Sequence, residues 1–219
     1  MPDHLRPTNP IAPAALLPGD PARAMALAQE ILTQPLMSNH ARGLWGYGGE
    51  TASGLALTVQ ATGIGGPSVA IVLEELADLG VRRAVRIGTC RALTGGLALG
   101  DLLVADSARA GAGAVARPDG ALTGALLAAG EVAGATVAST DAYYDPGEAD
   151  RDTRWREAGA LAVDLGTAAL LDVGSRLGIA VASALVVSRD SAGETLDDHG
   201  VTEASKSLAR LAVAALSDP

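Results

Sequence analysis

Two arginines in this chain stand where a small anion could be held. Arg86 lies in the apolar run Ala84-Val85-Arg86-Ile87, just before a polar loop at Gly88-Thr89. A guanidinium and a hydroxyl at the carboxyl end of a strand in an open α/β sheet are well placed to grip an oxyanion. The same arrangement recurs near the N-terminus, where the turn Gly19-Asp20-Pro21 is followed by Arg23. Between them lies a third turn, with Gly63, Gly65 and Gly66, whose missing side chains let the backbone turn tightly and approach a ligand closely.

Regular elements must carry these turns. The apolar run at residues 14–18 reads as a short buried strand. Asp20 is an N-cap candidate and Pro21 suits the first position of a helix running to about Leu32. Residues 43–49 are turn-rich, and residues 55–61 read as a strand. After the Gly63 turn, Pro67 and Ser68 suit a helix start. Val69, Leu73, Leu76 and Leu79 repeat at helical spacing, and Gly80 closes the helix. Strands are predicted at residues 101–107, 136–139, 160–165 and 179–188. Helices are predicted at residues 120–133, 167–177 and 201–216, and residues 141–156 form a polar connection with a helix start. Strands alternating with helices predict an α/β fold, three-layered α/β/α around a central mixed sheet. Residues 1–219 read as one domain with an extended, Pro-rich arm at residues 1–13.

Composition limits the function classes. A chain of 219 residues can bury one substantial core. A net charge of -9 argues against a nucleic-acid partner and makes the arginines local devices for small anions. The one cysteine, Cys90, rules out an internal disulfide and fits a reducing compartment. No apolar run reaches membrane-spanning length, and MPDHLRPTNP lacks a signal-peptide core, so the expected location is the cytoplasm, with no membrane partner. His4, His40 and His199 are scattered without metal-ligand spacing, so no metal is expected. With no Phe and 2% aromatics, the core must be aliphatic.

The Gly19-Asp20-Pro21…Arg23 turn, the Gly63-Ile64-Gly65-Gly66-Pro67-Ser68 turn and Arg86-Ile87-Gly88-Thr89, in this order, resemble the nucleoside phosphorylase family of uridine phosphorylases and hexameric purine nucleoside phosphorylases. The likeness runs from His4 to the last helix, and residues 62–89 look closest to uridine phosphorylases. It implies cleavage of an N-glycosidic bond by inorganic phosphate, giving a free base and (deoxy)ribose 1-phosphate without a cofactor. Phosphate would lie on Gly19, Arg23, Arg86 and Thr89, with Arg42 supplied across a dimer interface. His4, also from a neighbour, would contact the sugar 5′-hydroxyl, and Tyr143 would pack against sugar or base. The resemblance further implies a homo-oligomer built from dimers, with a hexamer as the family habit.

The pattern breaks in places. The family's acidic–Met–Glu junction reads Asp164-Leu165-Gly166 here, so Gly166 stands where a Glu would hold the sugar hydroxyls; Asp164 or Thr167 could partly substitute. Arg91 replaces a Gly. After Pro146-Gly147, Glu148 and Asp150 stand where uridine phosphorylases have a Gln and an Arg, an acceptor pair that suits amino-substituted bases. Arg189 matches an Arg of the pyrimidine branch, while a one-residue shift would make Asp190 a purine-type acid. Arg86, with Arg189 or Asp190, is thus expected to be catalytic. Two alternatives stay open: a non-catalytic relative that binds a nucleoside-like ligand, and an enzyme for a modified or 2′-deoxy sugar.

Overall fold

The computed structural model describes residues 2–111 and 115–217. Strand β1 (Ala14–Pro18) is buried along its whole length, between two parallel neighbours, β4 (Ala56–Gln60) and β5 (Arg83–Ala92). A strand covered on both faces needs such a continuous apolar run, which Ala-Ala-Leu-Leu-Pro supplies. Beyond β4 the sheet continues antiparallel through β3 (Gly46–Glu50) to β2 (Leu36–Asn39).

On its other side β5 pairs in parallel with β10 (Ala180–Arg189). The order then runs through β6 (Leu102–Ala110), β8 (Ala133–Ser139) and β9 (Ala162–Asp164), and β9 returns to the far end of β5. A short strand, β7 (Val115–Ala116), hangs on β6. This half of the sheet therefore closes on itself around small aliphatic side chains that include Cys90, Ala92, Leu103, Val137 and Leu185.

Helices α1 (Pro21–Ile31), α3 (Gly120–Ala128) and α6 (Asp198–Ser217) cover one face, packing Leu27, Leu122 and Leu208 against Leu16, Val59 and Val85. Helices α2 (Gly66–Asp78) and α5 (Thr167–Leu177) cover the other, packing Leu73, Leu76 and Leu171 against Leu17, Ala84 and Val181. These are the three layers, with a mixed sheet, that the alternating pattern predicts. Helix α4 (Glu148–Glu157) stands apart, held by Trp155 in a small cluster with Leu93, Ala138 and Val163. Among the described residues no helix is long and apolar enough to cross a membrane.

Three local readings are corrected. Gly88-Thr89 is not a loop: β5 runs on to Ala92, because β10 pairs with it as far as Arg91 and β9 pairs with it at Arg91 and Ala92. The turn-rich stretch at residues 43–49 contains strand β3, whose glycines serve packing; a Cβ on Gly46 would lie 2.3 Å from Gln60 Oε1. The helix predicted over 120–133 stops at Ala128, just before Gly130, where Leu211 of α6 packs so closely that a Cβ would lie 2.8 Å from it. Residues 130–133 instead lead into β8.

Candidate active site

A cleft of about 890 Å³ opens where the carboxyl ends of β1, β4, β5 and β10 meet the loops that follow them. Gly19 follows β1, Gly63 and Gly65 follow β4, and Arg86, Thr89 and Arg91 lie on β5. Gly63 (φ 77°) and Gly65 (φ 85°) hold left-handed conformations that other residues rarely adopt, which seats the α2 N-terminus at the cleft.

The electrostatic centre is the pair Arg23 and Arg86. Asp20 caps α1 by accepting the Arg23 backbone N–H at 2.8 Å, which fixes Arg23 in the first turn beside the cleft. Burial pulls the Arg23 guanidinium below its ordinary pKa; Asp20 opposes this and the like charge of Arg86 adds to it. Arg86 is only 7% exposed. Its Nη2 lies 3.3 Å from Asp164 Oδ2, but its Nε and Nη1, like Arg23 Nη1, are buried without an acceptor among the described residues. An unmet buried donor costs about 1–3 kcal/mol. One bound oxyanion would satisfy these donors and cancel the repulsion.

Two glycines make room for Arg86. A Cβ on Gly88 would fall 1.6 Å from its Nη1, and a Cβ on Gly166 would fall 3.0 Å from its Nε. Gly166, the N-cap of α5, thus sits under the guanidinium rather than on the wall of the cleft. Any side chain at that position would begin 3.0 Å from both Arg86 Nε and Val69 Cγ2.

Asp164 lines the cleft, but its oxygens are engaged. Oδ1 accepts from Ser139 Oγ at 2.6 Å, and Oδ2 accepts from the Thr167 amide at 3.0 Å and Thr167 Oγ1 at 2.8 Å. Thr167 Oγ1 in turn lies 2.9 Å from Ser183 Oγ, and Ser139 Oγ accepts the Ala168 amide. This network ties β8, β9, β10 and α5 behind Arg86. It was not legible in the sequence, since Ser139, Thr167 and Ser183 come from separate elements.

The remaining expected residues divide between the cleft and its surroundings. Thr89, Tyr143, Leu165 and Arg189 line the cleft. Tyr143 is 59% exposed and meets Tyr144 edge-on, with centroids 4.9 Å apart. Their loop is tied to α2 by Asp141, which accepts the Gly66 N–H at 3.1 Å. Glu148 also reaches the cleft, but as a partner of Arg91: Arg91 Nη2 lies 2.8 Å from Glu148 Oε1 and 2.8 Å from Asp152 Oδ2. The free acceptor pair read from Glu148 and Asp150 is therefore not present, because Arg91 occupies Glu148, and Asp150 is exposed outside the cleft. Asp190 lies outside the main cleft as well, and its Oδ1 accepts the amides of Ala192 and Glu194 in a turn.

Arg151 went unnoticed in the sequence. It lines the cleft, donates to Ala142 O and to Asp145, and stacks 4.9 Å over Trp155. Its spacing of four from Trp155 on α4 was the available signal. Cys90 also borders the cleft, but burial above all, with the Asp164 charge adding to it, pushes its thiol pKa up, which leaves it unsuited as a nucleophile. The described residues contain no His, Cys, Asp and Glu group able to hold a metal ion.

His4 and Arg42 lie outside this cleft. Arg42 is exposed, and it is the one non-glycine residue with positive φ (58°) among those described, a strain of the kind found at ligand clamps. The arm carrying His4 is pinned by Glu75 of α2, which accepts the amides of Asp3, His4 and Leu5 and pairs with His4 Nδ1 at 2.7 Å. Burial pushes the Glu75 pKa up, but these hydrogen bonds outweigh it, and the net value lies below the ordinary one. A depressed folded pKa means that the anchor is present above the ordinary glutamate range, about 4.3, and is lost as pH falls below it. Limited proteolysis should therefore find the arm protected at pH 6 and progressively released as pH falls below the ordinary glutamate range, and Glu75→Gln should loosen it at neutral pH.

A three-layer α/β chain with a cationic cleft at the carboxyl ends of its strands is the class that fold and site define. Residues 13–217 match the Phosphorylase superfamily, and the chain belongs to that family. It is 33% identical over 194 residues to a purine nucleoside phosphorylase DeoD-type of Alkaliphilus metalliredigens, covering 81% of this chain and 82% of the relative. Proteins of the same name from Clostridium beijerinckii (32% over 214 residues, 90% of this chain and 85% of the relative) and Clostridium perfringens strain SM101 (33% over 218 residues, 90% and 91%) are similar to it. These relatives carry the purine name, and none of the three supports the uridine phosphorylase subtype read from residues 62–89.

Proposed function

We propose that the chain is a phosphate-dependent nucleoside phosphorylase whose nucleosides are purine nucleosides. The observation that carries this reading is the pair Arg23 and Arg86, two like charges on one cleft with three buried nitrogens lacking acceptors. Inorganic phosphate fits that pair as co-substrate, and the reaction needs no cofactor. Held there, a phosphate oxygen attacks the anomeric carbon as the glycosidic bond breaks. The sugar passes through an oxocarbenium-like state, and the bond pair leaves with the base. Arg23 and Arg86 orient the nucleophile, the phosphate charge favours the cationic sugar, and Arg189 faces the base that gains negative charge. The purine names of the relatives support the choice of base.

We also read the assembly as dimer-based, a hexamer by the family habit, with Arg42 and His4 completing a neighbour's site. The strained, exposed Arg42 and the pinned arm support this.

The test is base release from purine nucleosides and uridine, ribo and 2′-deoxy, with and without phosphate. Release that requires phosphate is the expected result. Release without phosphate would overturn the reading. Silence across the panel, with nucleoside still bound, would favour the non-catalytic alternative, which the engaged Asp164 and the crowded Gly166 support.

A further inference from the structure

Beyond the phosphate site, β5 carries a second arginine. Arg91 lies five residues past Arg86 on the same strand, and both line the same cleft. In the sheet register Arg91 is paired with Arg189 of β10, so two guanidinium-bearing residues sit side by side at the far end of the same cleft. Arg91, Glu148 and Arg189 also border a smaller cleft of about 450 Å³, and Asp152 lines only that second cleft.

This geometry orders the charges. Asp152, 6% exposed, backs Arg91 from the side away from the main cleft, and Glu148 takes the same Nη2 from the rim. The two carboxylates fix the guanidinium and leave its Nε and Nη1 without a carboxylate partner. Arg189 Nε donates to Gly193 O at 3.4 Å, and no ion pair occupies its guanidinium among the described residues. Asp145, which also lines the cleft, is held by Arg151. The far end of the cleft therefore sets the donors of Arg91 and Arg189 beside the paired carboxylate of Glu148, where the sequence had pointed to acceptors alone.

We propose that Arg91, braced by Asp152 and Glu148, forms with Arg189 a specificity wall that selects nucleobases presenting a carbonyl over those presenting an amino group. The inference rests on the proposed function for its substrate. A guanidinium fork matches the O6 and N7 acceptors of a 6-oxopurine, whereas the amino group of a 6-aminopurine is a second donor facing a donor. The same wall stabilises the negative charge that collects on O6 and N7 as the base leaves. Donors set against a donor lose a hydrogen bond on each side, so discrimination of about tenfold or more is expected.

The test uses the intact protein in phosphate buffer, with hypoxanthine and adenine as calorimetric probes. This makes it independent of turnover. Hypoxanthine should bind about tenfold more tightly than adenine. In Arg91→Gln the ratio should fall to near one or reverse, because an amide pairs well with N6 and N7 of adenine. Arg189→Gln, which breaks no ion pair, should lower it too. Adenine binding as well as hypoxanthine in the unaltered protein, or binding of neither base, would overturn the inference. So would a ratio that both folded variants leave unchanged. Inosine and adenosine turnover is measured alongside: base selectivity without any phosphorolysis would refute the proposed reaction and leave the wall standing.

Discussion

Arg86→Ala should abolish phosphate-dependent turnover while the protein stays folded. Arg86 contributes two of the three unmet buried nitrogens of the Arg23–Arg86 pair, and these are the atoms an oxyanion would satisfy. Two charge-assisted hydrogen bonds at about 1.5–3 kcal/mol each amount to roughly 10²–10⁴-fold in kcat/KM. The fold should survive because Asp164 does not depend on Arg86. It keeps Ser139 Oγ, the Thr167 amide and Thr167 Oγ1, all at 3.0 Å or less. Removing Arg86 relieves the repulsion on Arg23 but takes a counter-charge from buried Asp164, so the two effects on the Tm of the unliganded variant oppose each other. The decisive readout is thermal stability with and without phosphate. A ligand that binds only the folded state stabilises it logarithmically in its free concentration over Kd, so Tm rises with ligand concentration relative to Kd. Phosphate should raise the Tm of the parent and leave that of Arg86→Ala unmoved. A variant that phosphate still stabilises, or that turns over normally, would remove Arg86 from the clamp.

What could be read ahead of the structure was what depends on neighbours in the chain. The turn at Gly19, the cap at Asp20, the helix start at Pro67 and Arg86 on its strand are all local, and local sterics and hydrogen bonding decide them. The strand–helix alternation was legible because its periods differ, and it led to the three layers. What failed depends on partners distant in sequence. Gly88-Thr89 reads as a loop until β10 and β9 are brought alongside. Asp164 reads as a free sugar ligand until Ser139 and Thr167 close on it. Glu148 reads as a free acceptor until α4 folds over Arg91. In the latter two cases a charged or hydroxyl group from another element had already taken the side chain. Glycine misled differently: in β3 and at Gly88 it marks close packing against a side chain, which composition cannot tell from a turn.

Gly88→Ala turns that last point into an experiment, since it changes no charge and no hydrogen-bonding group. The added Cβ would fall 1.6 Å from Arg86 Nη1, 2.7 Å from its Cζ and 2.7 Å from Leu185 Cδ2. Arg86 has little freedom to yield, because Gly166 and Val69 lie on one side and Asp164 holds its Nη2. The guanidinium must leave its seat, and Leu185 must shift within the closed half of the sheet. Overpacking of this kind destabilises by about 1–3 kcal/mol, which a melting curve would register. The larger effect should fall on phosphate: its KM should rise by about tenfold or more, the equivalent of at least one charge-assisted hydrogen bond. The comparison with Arg86→Ala separates a displaced arginine from a generally loosened site. Groups that act through one another give non-additive variants. The double variant should be no worse toward phosphate than Arg86→Ala alone. Additive losses would mean that Gly88 serves the site by its own backbone, and that the close approach to Arg86 is incidental.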